Sequence, residues 1–135
     1  MIRVILGVLV GFVSWLIAWV GTEKILSALW PAFGVHQSAF QNAITEGAEF
    51  TADATMLITH IVMGCVVSIL SGAVSALIAG GNSLAPLFVG IMLLALGLLK
   101  AVMSWPHVPI WYHITFTAIL LPMAILGGRL IAPAQ

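Results

Sequence analysis

Four runs of apolar residues, at roughly 4–21, 54–79, 84–103 and 109–128, constrain this chain more than any other feature. Each is close to the ~20 residues that a helix needs to cross the hydrocarbon of a bilayer. Together they take up most of the 135 residues. With 62% of the residues hydrophobic and 6% charged, too little polar surface remains to cover a water-soluble core. The expected fold is an all-α integral membrane protein, one four-transmembrane-helix bundle over 1–135 with a long first loop. Arg3 precedes the first run as in a signal peptide, but the apolar stretch is longer than the usual signal core and no clear cleavage site follows, so it is read as a retained span.

The connections set the topology. "GGNS" joins the second and third runs and "WPHVP" the third and fourth, so both pairs are antiparallel hairpins. The first connection, about 22–53, holds Glu23, Glu46, Glu49 and Asp53, which are all the acidic residues, with Lys24 and His36. Within it, "WPAFGVHQSAF" reads as an interfacial turn with a short surface helix after it. Trp30, Trp105, Trp111 and Tyr112 are the expected interface anchors, because amphipathic rings settle at headgroup depth. Orientation is nearly tied, with Arg3 and Arg129 flanking one side and Lys24 and Lys100 the other. Lys100 stands within a turn of a helix end and can snorkel, which favours both termini in the cytoplasm.

Small residues mark the packing surfaces. Gly64, Ser68, Gly72, Ala76 and Gly80 recur at every fourth position of the second span, and Gly7 and Gly11 begin a similar row in the first. In lipid, where no hydrophobic force drives helices together, such rows permit close van der Waals approach. They point first to a contact between the first and second spans. Pro122 should kink the fourth span, and Gly127–Gly128 should end it before Arg129.

The polar candidates are few. On a continuous helix Glu46, Glu49, Asp53 and His60 fall within about 60° of one another. The plainer account of that stripe is a solvated, amphipathic lead into the second span. His60 lies about two turns inside that span, where an ionisable group is by default a functional candidate. His113 and Lys100 belong to the same end of the bundle, which makes an outer-leaflet polar cluster of His60, His113, Lys100, Asp53 and Glu49 geometrically reasonable. Two histidines at matched depth could ligate haem b, or one a chlorophyll-type pigment; the expectation is nonetheless no cofactor other than lipid. No metal signature is present, since the Glu-x-x-His pairs of di-iron bundles are missing. Balanced charge, with four Lys/Arg against four Asp/Glu, gives no support for nucleic-acid binding. There is no Walker loop, G-x-S-x-G, HExxH or CxxC, so no residue stands out as catalytic.

Pro109, Trp111, Tyr112, His113, Pro122, Gly128, Arg129 and Leu130 in the last span, with Trp30–Pro31 early in the first loop, resemble a group of short, uncharacterised bacterial inner-membrane proteins with four predicted helices. The resemblance implies that fold class and a bacterial inner-membrane location; it brings no activity. The expected function is that of a small non-catalytic membrane protein, an accessory or structural subunit of a larger complex or a homo-oligomer. The alternatives are a proton or small-solute transport unit using the polar cluster, and a haem- or pigment-binding subunit.

Overall fold

The structure, a computed structural model, describes residues 2–47, 53–104 and 108–131. Five helices follow one another: α1 (Ile2–Leu29), α2 (Pro31–Glu46), α3 (Ala54–Ile78), α4 (Leu84–Met103) and α5 (Ile110–Ile131). Four of them, all but α2, are long and apolar enough to span a bilayer, and the protein is an all-α, multi-pass membrane protein. Their outer faces are covered with exposed Leu, Ile and Val, such as Ile17, Val62, Val66 and Leu98. Facing hydrocarbon, these side chains need no further cover.

The long first loop is largely helix. Nothing between Thr22 and Leu29 breaks a helix, so α1 runs a further two turns beyond the expected end of the first span. It stops at Trp30, whose extended backbone (φ −131°, ψ 91°) is what a residue before proline prefers. Pro31 then begins α2, where its missing N–H costs nothing. Helix α2 ends at Gly47, which takes the left-handed conformation (φ 69°) that suits glycine. The break at Gly47 also divides the proposed acidic stripe. Glu46 ends α2, Asp53 is the N-cap of α3, and Glu49 lies outside the described residues, so the stripe has no continuous helix to lie on. Asp53 instead caps α3, accepting from the backbone N–H groups of Thr55 at 2.8 Å and Met56 at 3.2 Å.

The tightest packing is between α3 and α5, which run parallel. A Cβ on Gly72 would overlap the Ala124 carbonyl, and one on Gly127 the Ile69 carbonyl, so the two backbones touch. Gly64 lies under Phe116 and Ile119 of α5. Gly64 and Gly72 of the row therefore serve α5, while Ser68 between them serves α1 as expected. Helix α1 crosses antiparallel on the neighbouring face of α3: a Cβ on Gly7 would come within 2.6 Å of the Ser75 carbonyl, and one on Gly11 within 2.8 Å of the Ser75 Cβ. The Ser71 hydroxyl donates to the Gly11 carbonyl at 2.6 Å, and the Trp15 indole donates to Ser68 Oγ at 3.1 Å. Ala76 is buried, but Gly80 has left the helix; with φ 71° it forms the α3–α4 turn and lies against the Arg3 guanidinium.

One expectation for α5 is corrected. Pro122 lies within the helix, which does not end at Gly127–Gly128 but continues to Ile131. The two glycines serve packing, Gly127 against α3 and Gly128 against the Pro86 ring of α4.

Because these contacts are backbone to backbone, a methyl group cannot be relieved by a rotamer change. Gly72→Ala or Gly127→Ala should lower stability by about 1–3 kcal/mol. Gly21→Ala, where nothing lies within 4 Å of the added methyl, should be neutral or stabilising by up to about 1 kcal/mol. Denaturant unfolding in detergent micelles checks all three.

Candidate functional site

One end of the bundle, formed by the C-terminal ends of α1 and α4 and the N-terminal ends of α3 and α5, holds a cavity of about 40 Å³ lined by polar and apolar side chains. Helix α2 folds back across it. At 1.5 Å per residue, Glu23 and His60 each lie about 9 Å inside their helices, and Lys100 and His113 about 4.5 Å inside theirs. All four line the cavity with His36, Gln37, Tyr112, Ser104 and Thr117. The structure thus brings His60, His113 and Lys100 to one space and adds Glu23, His36 and Gln37, which the sequence reading had left in the loop. Asp53 stands beside this group at the α2–α3 junction.

The floor is aromatic. Trp15 and Trp19 stack at 5.2 Å, and Phe116 meets Trp19 edge-on at 5.5 Å. Below them Leu93 and Leu120 are fully buried. The Lys100 ammonium lies 5.3 Å from the centre of the Trp19 ring, a cation–π distance. Glu23, one turn along α1 from Trp19, is the anion whose charge Lys100 feels. Among the described residues no hydrogen bond or ion pair within 4 Å joins Glu23 to Lys100. The cavity carries several polar side chains on a largely apolar wall and has volume for roughly three waters, which could bridge the two charges.

His60 is held on every side. Its Nδ1 lies 2.8 Å from the Met56 carbonyl, which only accepts, so Nδ1 carries the proton. Nε2 lies 3.0 Å from the side-chain amide of Gln37. A neutral His60 accepts there from the Gln37 NH₂, and a protonated one donates to the Gln37 oxygen; a flip of the amide serves either state. The ring stacks on Phe33 at 5.0 Å and tilts against Trp19 at 5.9 Å. With both ring nitrogens engaged and a space of about 40 Å³, the site in this arrangement does not fit a tetrapyrrole. Among the described residues no three His, Cys, Asp or Glu side chains gather as a metal-binding group.

His36 ties α2 to α3. The backbone N–H of Asp53 donates to its Nε2 at 3.2 Å, so the neutral ring carries its proton on Nδ1. Burial holds the imidazole below its ordinary value of 6.5, against the opposing pull of Asp53.

The interface anchors separate. Trp111 is 42% exposed on the outside of the bundle. Tyr112 does not turn outward; it stacks on Phe116 at 5.5 Å and lines the cavity. Trp30 forms the break between α1 and α2 and stacks on Phe33 at 6.1 Å. Trp105 lies outside the described residues. Glu23 was missed because hydropathy fades at residue 21, although Trp19 and Glu23 have the i, i+4 spacing that puts both on one face. His36 and Gln37 belong to a Phe33, His36, Gln37, Phe40 pattern that could have marked α2 as a helix with an inward face.

Two outcomes are expected here. Lys100→Met or Glu23→Gln alone leaves the other charge without its counterpart and should cost about 1–3 kcal/mol. The double variant should cost less than the sum, as read from a double-mutant cycle of unfolding in micelles. For His36, the folded chain binds fewer protons than the unfolded one. Its stabilisation is full above the ordinary value of 6.5 and is lost as pH falls below it towards the folded value. Thermal stability of the wild type should therefore fall more between pH 7 and 5 than that of His36→Gln. No protein-family model, curated protein or solved structure matches this chain, so the site is interpreted from its own chemistry.

Proposed function

We propose that this membrane protein handles protons at the α2-covered cavity, as a proton-conducting or proton-coupled transport unit. The observation that carries the reading is the convergence of Glu23, His60, Lys100 and His113, from four different spanning helices, on one cavity. Ionisable side chains within spanning helices are costly and by default are candidates for ion and proton pathways. The cavity volume suits a few waters or a hydrated proton and is small for an organic solute. Beneath it the packed layer of Trp15, Trp19, Phe116, Leu93 and Leu120 closes the bundle towards the far side. Passage to the far side requires a rearrangement of that layer, and the proline within α5 offers a place for it.

In this reading the protein lies in a bacterial inner membrane with both termini cytoplasmic, in keeping with the resemblance of its last span and with Arg3 and Arg129 at one end. The accessory-subunit reading drew on the small-residue rows and on the small mass outside the spans. Gly64 and Gly72 face α5, while Gly7 and Gly11 face α3, so those rows are used within the chain and offer a partner little.

Reconstitution into liposomes containing a pH-sensitive dye tests the proposal. Under an imposed potential the wild type should carry protons measurably faster than protein-free vesicles. His60→Ala and Lys100→Met should each reduce that flux at least tenfold, and Gly21→Ala should leave it unchanged. Flux no greater than that of empty vesicles would overturn the proposal.

A further inference from the structure

We infer that α2 is a hinged lid over the cavity, latched to α3 through His36, and that acid releases it. The inference rests on the proposed role of the cavity for its purpose, although its geometry stands independently.

Helix α2 is 16 residues long, about 24 Å, and is bounded by a natural pivot at each end. At Trp30 the backbone is extended before Pro31, and at Gly47 it is left-handed. Between the pivots α2 packs chiefly on α1. Three of its side chains tie it to the rest of the cavity wall. Phe33 stacks on the His60 ring, Gln37 bonds His60 Nε2, and His36 accepts from the Asp53 N–H. His36 and Gln37 also line the cavity, so moving α2 opens it on that side.

The three ties respond differently to a proton. The Phe33 stack carries no proton, and Gln37 satisfies either form of His60 by turning its amide. His36 has no such freedom, because an imidazolium carries N–H on both nitrogens and cannot accept from the Asp53 N–H. Protonation therefore replaces a hydrogen bond with two opposed donors.

The surrounding charges bear on the same step from every side. From α3, His60 lies 6.4 Å from the His36 ring, and Asp53 attracts a positive charge there. The Asp53 carboxylate is already engaged with Thr55 and Met56. Helix α1 places Glu23 on the cavity wall, α4 Lys100, and α5 His113 and Tyr112. A charge on His36 is drawn by a committed Asp53, and a second proton on His60 would oppose it. Neutral conditions keep the lid down and acid lifts it.

The test uses the full chain in nanodiscs, with Cys65→Ser removing the native thiol. A reporter cysteine is placed at Ser104, which lines the cavity and is 5% exposed. Ser38→Cys, on the exposed face of α2, supplies the reference for the intrinsic pH dependence of a methanethiosulfonate reagent. With His36 in place, the ratio of Ser104→Cys to Ser38→Cys labelling should rise at least tenfold from pH 7.5 to pH 5.5. His36→Gln, whose amide oxygen accepts at any pH, should keep the ratio low throughout; His36→Lys should keep it high. A ratio unchanged by pH with His36 present would overturn the lid. This result is separable from the function itself: a pH-dependent ratio in a protein without proton flux leaves the lid standing and removes the transport reading, and flux with a pH-independent ratio does the reverse.

Discussion

The contact between the backbones of α3 and α5 determines the arrangement of the other elements. At Gly72 against Ala124, and at Gly127 against Ile69, no side chain separates the two helices. Dispersion is short-ranged, so approach to backbone contact gains what a membrane otherwise withholds, an attraction between helices that are no more apolar than the lipid around them. Parallel and close over these turns, the two helices bring His60 and His113 to one end of the bundle. Helix α1 then fits antiparallel beside them through Gly7 and Gly11, and α4 packs on α5 through Gly90 and Gly97, which lie against Leu121 and Leu120. The glycines of all four spans thus act together, and the cavity occupies the end of the bundle beyond the last of these close contacts.

That end is wide enough for polar groups because large rings occupy it. Trp15, Trp19, Phe33, Phe116 and Tyr112 hold the helices apart where glycines no longer draw them together. The same rings partner the ionisable groups: Trp19 receives the Lys100 ammonium, and Phe33 covers the His60 ring. Helix α2 completes the enclosure, since without it the polar ends of α1 and α3 would open directly to the surface. A cavity that holds several polar side chains, is aromatic below and is roofed by a short helix differs from a packing defect, because its groups come from five separate elements and face one another.

The four spans were legible because length and hydropathy are direct consequences of bilayer thickness. The extension of α1 was not, since hydropathy fades at Glu23 and Lys24 while helix geometry does not; only the proline at 31 marks the true stop. Helix α2 hid in a mixed composition that reads as loop unless the spacing of Phe33, His36, Gln37 and Phe40 is followed. The small-residue row of α3 was visible, but a glycine carries no information about its neighbour, and α5 rather than α1 takes most of it. The polar cluster was partly legible: His60, Lys100 and His113 follow from antiparallel spans at matched depth. Glu23 depends on the extension of α1, and His36 on α2 folding back, a tertiary event whose direction no local spacing gives.

Magic-angle-spinning NMR on the labelled protein in lipid bilayers addresses the central claim, that α2 folds back over a cavity with polar side chains at the end of a glycine-packed bundle. The account predicts a through-space correlation between the side chains of Gln37 and His60, whose nitrogen and oxygen stand 3.0 Å apart, together with one between Gly72 and Ala124. A Gly72–Ala124 correlation accompanied by α2 resonances that correlate only with lipid headgroups would contradict it.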